Sequence, residues 1–414
     1  MRIVPSVEAS SEGHGAAARS RVAIAVGIGQ IFAFGSTYYL PAVAAPAIVH
    51  DTGWALTWVM AAVSLALLVS GLVSPLVARA IGRFGGRAVL SGSALLLGAG
   101  LLALGASRTL PAYVASWAFL GVGMGSGLYD ACFSTLGRLY GMRARTAITA
   151  MTLVGGFAST VCWPLWAYLI AHVGWRGACT AYAAILALMI SPLYLVAVPA
   201  AAAGVAENPD TTDENEDGAQ RRSILALIAS TVALAAGITT LLSTSAILLL
   251  RSRGLDPAAA LVVAALIGPS QVGARVVLLA MRDRLHPAAL AVGAAALVAA
   301  GMALVALGAG GAAVGIVLYG AGAGIHSITR GMLPLAFTGG GGALATTVGR
   351  VALPAFLTQA AAPLIGAALI RAVSPSGTLV VLAAAAAANV AVALILARAF
   401  GSSLHGVPSA VEAL

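Results

Sequence analysis

Gly121-Val-Gly-Met-Gly-Ser-Gly-Leu-Tyr-Asp130 and Tyr319-Gly-Ala-Gly-Ala-Gly-Ile-His-Ser-Ile-Thr-Arg330 place alternate glycines inside two strongly apolar stretches. Each glycine costs a helix roughly 1 kcal/mol against alanine, so their recurrence needs a physical reason. Close helix–helix contact supplies one, because small residues let backbones touch inside a bilayer. An offset of about 197 residues lays Gly123, Gly125 and Gly127 on Gly320, Gly322 and Gly324. The same offset lays Gly71 on Gly268 and Arg87 on Arg284. The chain therefore reads as two copies of one six-stretch unit. Such repeats place a solute site at the interface between copies.

The composition agrees with a membrane protein. Hydrophobic residues make up 60% and charged residues 8%, which excludes a soluble globular domain. Twelve stretches are long enough to cross a hydrocarbon core of about 30 Å. They are 22–47, 54–80, 88–106, 111–136, 147–172 and 176–199, then 223–250, 256–281, 287–307, 312–335, 348–371 and 377–399. The fold class expected is an all-α membrane protein of twelve transmembrane helices in two six-helix bundles. The bundles take 22–199 and 223–399, flanked by tails at 1–21 and 400–414. Residues 1–20 are polar with no apolar core before Val22, so no cleaved signal peptide is expected.

All 22 basic residues are Arg, and the net charge is +9. Their positions give a topology and no nucleic-acid partner. With the N-terminus inside, fifteen fall on cytoplasmic tails and loops, among them Arg79, Arg83, Arg87, Arg138, Arg143 and Arg145. The outer loops hold Arg108, Arg176, Arg251, Arg253 and Arg371. The positive-inside asymmetry puts both termini in the cytoplasm, and Arg without Lys amid so much Ala and Gly suggests a GC-rich bacterial genome, hence a bacterial inner membrane. Ala200–Arg222 carries Glu207, Asp210, Asp213, Glu214, Glu216 and Asp217 and reads as a solvated cytoplasmic tether between the halves. Cys132, Cys162 and Cys179 are odd in number and lie in or near apolar spans, as packing residues do.

No soluble catalytic domain fits into the short loops. The chain holds no HExxH, no CxxC pair, no GxxxxGK[ST] and no Gly-x-Ser-x-Gly elbow, so neither an enzyme site nor a metal or cofactor site is expected.

Between spans two and three stands Ala78-Arg-Ala-Ile-Gly-Arg-Phe-Gly-Gly-Arg87. It resembles the loop 2–3 signature of the major facilitator superfamily, Gly-x-x-x-Asp-Arg-x-Gly-Arg-Arg. Arg83, Gly85 and Arg87 match it; Ala78, Gly82 and Gly86 depart from it. The resemblance implies that the matched residues belong to a cytoplasmic gate, and the missing acid at Gly82 removes its usual charge relay. Four other segments are similar to a bacterial branch containing monocarboxylate and oxalate–formate carriers and arsenite-efflux relatives. They are Tyr38-Tyr-Leu-Pro41 with Asp51-Thr-Gly-Trp54, Gly155-Gly-Phe-Ala-Ser-Thr-Val-Cys-Trp-Pro-Leu165, Gly268-Pro-Ser-Gln-Val-Gly-Ala-Arg275 and Arg330-Gly-Met-Leu-Pro-Leu335. The resemblance implies two bundles, alternating access and a central cavity lined largely by helices 1, 4, 7 and 10.

An ionisable group inside a span is costly unless paired or wet, so it is a functional candidate by default. Asp130 is the one acid placed well inside a span. Gly123, Ser126, Asp130 and Ser134 recur at helical spacing, as do His326, Thr329 and Arg330, and Gln271 with Arg275. Asp130 and Arg330 each lie about 9 Å from the cytoplasmic end of their span at 1.5 Å per residue. If helices 4 and 10 face each other, as the resemblance implies, these two side chains meet. Asp130 and His326 are the candidates for proton coupling. Arg330, Arg275, Gln271, Tyr38, Gln30, Trp163 and Gln359 are the candidates for substrate binding. Each has a structural alternative: a cap or helix tie for Asp130, a salt bridge for Arg330, snorkelling for Arg275 and packing for His326. Ser243 and Thr244 on span seven are further hydrogen-bonding candidates, and Trp54, Trp58 and Trp175 read as interfacial anchors.

One acid against two Arg favours anions. The reading is a secondary transporter, acting as a monomer, that couples protons to a small organic anion such as a monocarboxylate. An exporter of drugs or trivalent metalloid is the rival, and a non-transporting receptor or scaffold the alternative from another class.

Overall fold

The structure is a computed structural model that describes residues 7–200, 216–281, 285–339 and 342–404. The described residues are almost wholly helical, and no strand occurs among them. Arg284 and most of the acidic tether lie outside them.

Contacts divide the chain into two compact units, Met1–Ala206 with Gly340–Ala345 and Glu207–Gly339 with Thr346–Leu414. In the first unit, span one is α1 (Val7–Gly35) and α2 (Leu40–Thr52), span two α3 (Leu56–Phe84) and span three α4 (Gly86–Ala106). Span four is α5 (Leu110–Gly127) and α6 (Tyr129–Tyr140). Span five is α7 (Ala144–Gly155) and the start of α8 (Ala158–Ile185); span six follows through a π-turn to α9 (Ser191–Ala197). Here α3 and α4 pack on α5, and α1 packs on α7 and α8.

The second unit begins with α10 (Glu216–Arg251), span seven. Span eight is α11 (Pro257–Ala265) and α12 (Ile267–Ala280), span nine α13 (Pro287–Leu307) and span ten α14 (Ala309–Thr338). Spans eleven and twelve are fused in α15 (Gly342–Leu404). Both α12 and α13 pack on α14. Leu242, Met302, Ile316, Tyr319, Leu379 and Ala386 form the buried centre of one core cluster there.

Two tail boundaries differ from the sequence reading. Helix α1 begins at Val7, inside the expected tail, and α10 begins at Glu216, inside the expected tether. Glu216–Arg222 is polar enough to look like linker, yet it continues an apolar helix for under two more turns, and Arg222 Nε donates to the Gly218 carbonyl at 3.2 Å. Propagating an existing helix costs far less than nucleating one.

The repeat is visible in the backbone at the hairpins joining spans five to six and eleven to twelve. Gly174 turns with φ 67° and ψ 170°. Ser374 does the same with φ 70° and ψ 165°. That region is essentially reserved for glycine and strains any other residue by about 1–3 kcal/mol. Ser374 Oγ recovers part of this by accepting from Gly377 N–H at 3.2 Å. Glycine is itself a tolerable cap, worse than serine by only a few tenths of a kcal/mol. Ser374→Gly is therefore expected to stabilise the protein by about 1 kcal/mol. A thermal melt in detergent checks this; an unchanged or lower midpoint contradicts it.

The glycine stretches show why they recur and correct their register. A Cβ on Gly125 would sit 2.8 Å from the Ser70 carbonyl of α3, and one on Gly123 would sit 2.9 Å from Leu97 Cγ of α4. In span ten, Gly320 and Gly324 press on Ile267 and Gln271 of α12, whereas Gly322 presses on Ala294 of α13. Matching the faces puts Gly121, Gly123 and Gly125 on Gly320, Gly322 and Gly324. The register here is 199 residues, not 197, because an alternating pattern slides by two without losing identity. Asp130 then corresponds to Thr329, so the acid has no counterpart in the second copy.

Candidate functional site

The first unit's candidate site is built on interrupted helices. Span one breaks at residues 36–39, span four at Leu128 and span five at residues 156–157. Each break frees backbone groups that a bilayer cannot hydrate. Side chains from neighbouring spans close the first two. Trp166 Nε1 donates to the Gly35 carbonyl at 2.8 Å and Tyr182 Oη to the Phe32 carbonyl at 3.2 Å. Cys162 Sγ donates to the Ile31 carbonyl at 3.3 Å. At the second break, Gln30 Nε2 donates to the Gly127 carbonyl at 2.7 Å and lies 3.1 Å from Cys132 Sγ.

This places Gln30 differently from the sequence reading. It is fully buried, and its Nε2 ties span one to the end of α5. An amide in an apolar span looks like a ligand group in sequence; only the break at Leu128 reveals its partner.

Asp130 is in the first turn of α6, just past the break, and is 6% exposed. A helix N-terminus favours negative charge, and Asp130 stands in that first turn. The stripe expected from Gly123 to Ser134 does not run on as one, since Leu128 (φ −83°, ψ −172°) resets the helical phase. Ser126 and Ser134 hydroxyls donate to the carbonyls of Val122 and Asp130, at 2.8 and 2.9 Å.

A series of aromatic rings starts from Tyr129, the residue before Asp130. Phe34 lies 4.7 Å from Tyr129 and 5.4 Å from Tyr38, centroid to centroid. Tyr39 meets Trp163 edge-on at 5.7 Å, and Trp163 is 45% exposed. Tyr38 and Trp163 are legible in the sequence. Phe34, Tyr39 and Tyr129 are not, because ring neighbours from three spans leave no local signal.

In the second unit, Gln271 and Arg275 stand one turn apart on α12, where it packs on α14. Arg275 is 5% exposed; its Nε donates to the Gly324 carbonyl and its Nη2 to Gln271 Oε1, both at 3.4 Å. It does not snorkel to an interface. Arg330 places its guanidinium 5.0 Å from the Phe356 ring centroid, a cation–π contact. The carbonyl of His326 accepts from Thr329 Oγ1 at 3.1 Å, and its enclosed Nε2 finds no hydrogen-bond partner among the described residues. Gln359 is half-buried. Ser243 and Thr244 are exposed along α10 beside a cavity of about 380 Å³ whose lining also includes Arg251.

The loop 2–3 residues show why the signature is partial. Gly85 has φ 81° between α3 and α4, so the matched glycine is required. A Cβ at Gly86 would fall on the Thr135 side chain, which leaves no room for the usual Arg. Arg83 is exposed and lies over Phe84 at 5.2 Å, and Arg87 is half-buried.

Trp175 is not a lipid-facing anchor. It is 4% exposed, and its Nε1 donates to Asp51 Oδ2 at 3.0 Å, beside the Arg176–Asp51 ion pair. The Trp175 hydrogen bond and then Arg176 hold the Asp51 carboxyl below its ordinary value. A depressed carboxylate contributes stability above its unfolded pKa and loses it as pH falls through the folded one. Wild type is thus expected to lose stability on acidification below about pH 4, whereas Asp51→Asn lacks this loss. Melting both across pH 3–6 checks it; parallel profiles contradict it.

The Major Facilitator Superfamily profile matches residues 26–339, and the chain belongs to that family. Three solved structures share its fold. The human organic anion transporter MFSD10 (TETRAN) superposes with TM-score 0.72 at 14% identity, covering 91% of this chain and 99% of that one. The proton:xylose symporter XylE, bound to 6-bromo-6-deoxy-D-glucose, gives 0.68 at 13%, covering 93% and 96%. The E. coli fucose:proton symporter FucP gives 0.66 at 11%, covering 91% and 98%. Comparison with curated protein sequences finds no match. The protein is a multi-pass integral membrane transporter and not an enzyme.

Proposed function

We propose that this transporter moves a small organic anion, such as a monocarboxylate, coupled to protons by alternating access. The observation that carries the reading is Asp130, a carboxyl 6% exposed at the start of a helix that restarts inside the membrane. An acid at that depth is expensive unless it has work to do. His326, with its enclosed ring nitrogen, is the second proton candidate. Arg275 and Arg330, with Gln271 and Gln359, supply the attraction for an anion. At 11–14% identity, the solutes of the structural neighbours carry no weight; the charges of this chain do.

The branch of monocarboxylate and oxalate–formate carriers fits this charge pattern better than metalloid export. Each thiol is packed at its own contact: Cys132 against Gln30, Cys162 against Ile31 and Tyr182, and Cys179 against Gly105. A bacterial inner-membrane location with both termini cytoplasmic, and a monomeric state, complete the proposal. It is tested in proteoliposomes loaded with a pH dye and challenged with monocarboxylates, dicarboxylates, arsenite and cationic drugs. Acidification evoked by one anion class supports it. Flux evoked only by arsenite or cations replaces it with the exporter.

A further inference from the structure

The interruptions and the aromatic rings of the first unit coincide. Spans one, four and five are the ones broken there at residues 36–39, 128 and 156–157. The same three spans supply a continuous ring ladder. From Trp163 it steps 5.7 Å to Tyr39, 6.4 Å from Tyr39 to Phe34, 4.7 Å to Tyr129 and 5.5 Å to Phe133. Phe133 is fully buried and anchors one end; Phe34, Tyr39 and Tyr129 are half-buried, and Trp163 is 45% exposed at the other.

Non-helical backbone at membrane depth is tolerated only inside protein or along a wet cavity. Three breaks on one set of helices, with Asp130 two residues past one of them, favour a face turned to protein or water over one turned to lipid. A ladder of partly exposed rings on such a face has open π-surface for one more ring. Carbohydrate suits it poorly, since sugar hydroxyls call for amide and carboxylate partners. Gln30 is the sole amide side chain in residues 1–206; it is fully buried and its Nε2 donates to the Gly127 carbonyl.

We infer that the transported anion carries a flat aromatic ring, bound against Trp163, Tyr39 and Phe34: an aryl carboxylate rather than a short aliphatic one. The inference rests on the organic-anion reading and narrows it. The probe is radiolabelled benzoate on the full chain in lipid nanodiscs, competed with acetate, benzyl alcohol and xylose. Benzoate is expected to bind about tenfold tighter than acetate, which is the scale of one good aromatic contact. Trp163→Ala is expected to remove that advantage, and Trp163→Phe to restore most of it. Trp163 is exposed, so its truncation leaves the buried core in place. Equal affinity for benzoate and acetate, or no effect of Trp163→Ala, overturns the ring inference and leaves the anion reading standing. Trp163-dependent competition by benzyl alcohol as strong as by benzoate keeps the ring and overturns the anion. Binding of xylose alone, or of none of these probes, overturns the inference.

Discussion

Asp130→Asn is expected to lower proton-coupled accumulation of the anion by on the order of 10²-fold, the scale on which positioned proton carriers act. Exchange of substrate down its own gradient is expected to survive. Asparagine keeps the shape of the side chain at the second residue of α6. It removes the group that takes up and releases a proton and puts an amide NH2 donor in place of one carboxyl oxygen. The loss of helix-terminus stabilisation is about 0.3–1 kcal/mol, too little to unfold a transporter. The split between accumulation and exchange therefore reads chemistry rather than folding. It is measured by pairing dye-reported proton flux with counterflow of labelled substrate in the same vesicles.

The alternative role for Asp130 is a charge that steadies the restarted helix. In that case Asp130→Asn leaves coupled flux unchanged and lowers the melting midpoint slightly. The two roles move different instruments, so one variant separates them. The register of 199 sharpens the point, since Thr329 in α14 occupies the corresponding place. Span ten runs unbroken from Ala309 to Thr338 where span four is broken at Leu128. Break and acid occur together in one copy and are both missing from the other.

Hydropathy reads the all-helical membrane class because a bilayer punishes every unsatisfied backbone group, leaving long apolar helices as the available solution. It is blind to interruptions, which depend on partners distant in the chain. Leu128 is as apolar as its neighbours, and its break is closed by Gln30, 97 residues away from Gly127. The same blindness makes Gln30 look like a ligand group and Trp175 like a lipid anchor. Charged candidates are easier, since Asp130, Arg275 and Arg330 stand out in any apolar run. Their partners are not legible: Phe356 beneath Arg330 and the Gly324 carbonyl beside Arg275 come from other spans.

The largest stability effects are expected at the alternate glycines, with a sign that depends on the face. Gly324→Ala would place its Cβ 2.6 Å from the Gln271 carbonyl oxygen and 2.8 Å from Gln271 Cα. Both are backbone atoms of α12, so no side-chain rotation relieves the overlap and the two helices must separate. Overpacking of this kind typically costs about 1–3 kcal/mol. The helical propensity gained by alanine returns only about 1 kcal/mol of it. Gly125→Ala meets the Ser70 carbonyl at 2.8 Å and Val73 Cγ2 at 2.6 Å, so Val73→Ala is expected to rescue it in part. A Cβ on Gly293 in α13 would have nothing within 4 Å, and there alanine is expected to stabilise by about 1 kcal/mol. Thermal unfolding of the three single variants in one detergent decides the matter. Opposite signs for Gly324→Ala and Gly293→Ala identify backbone contact as the reason for the repeat. A common sign would mean that helix propensity alone governs these positions and that the glycine pattern carries no packing information.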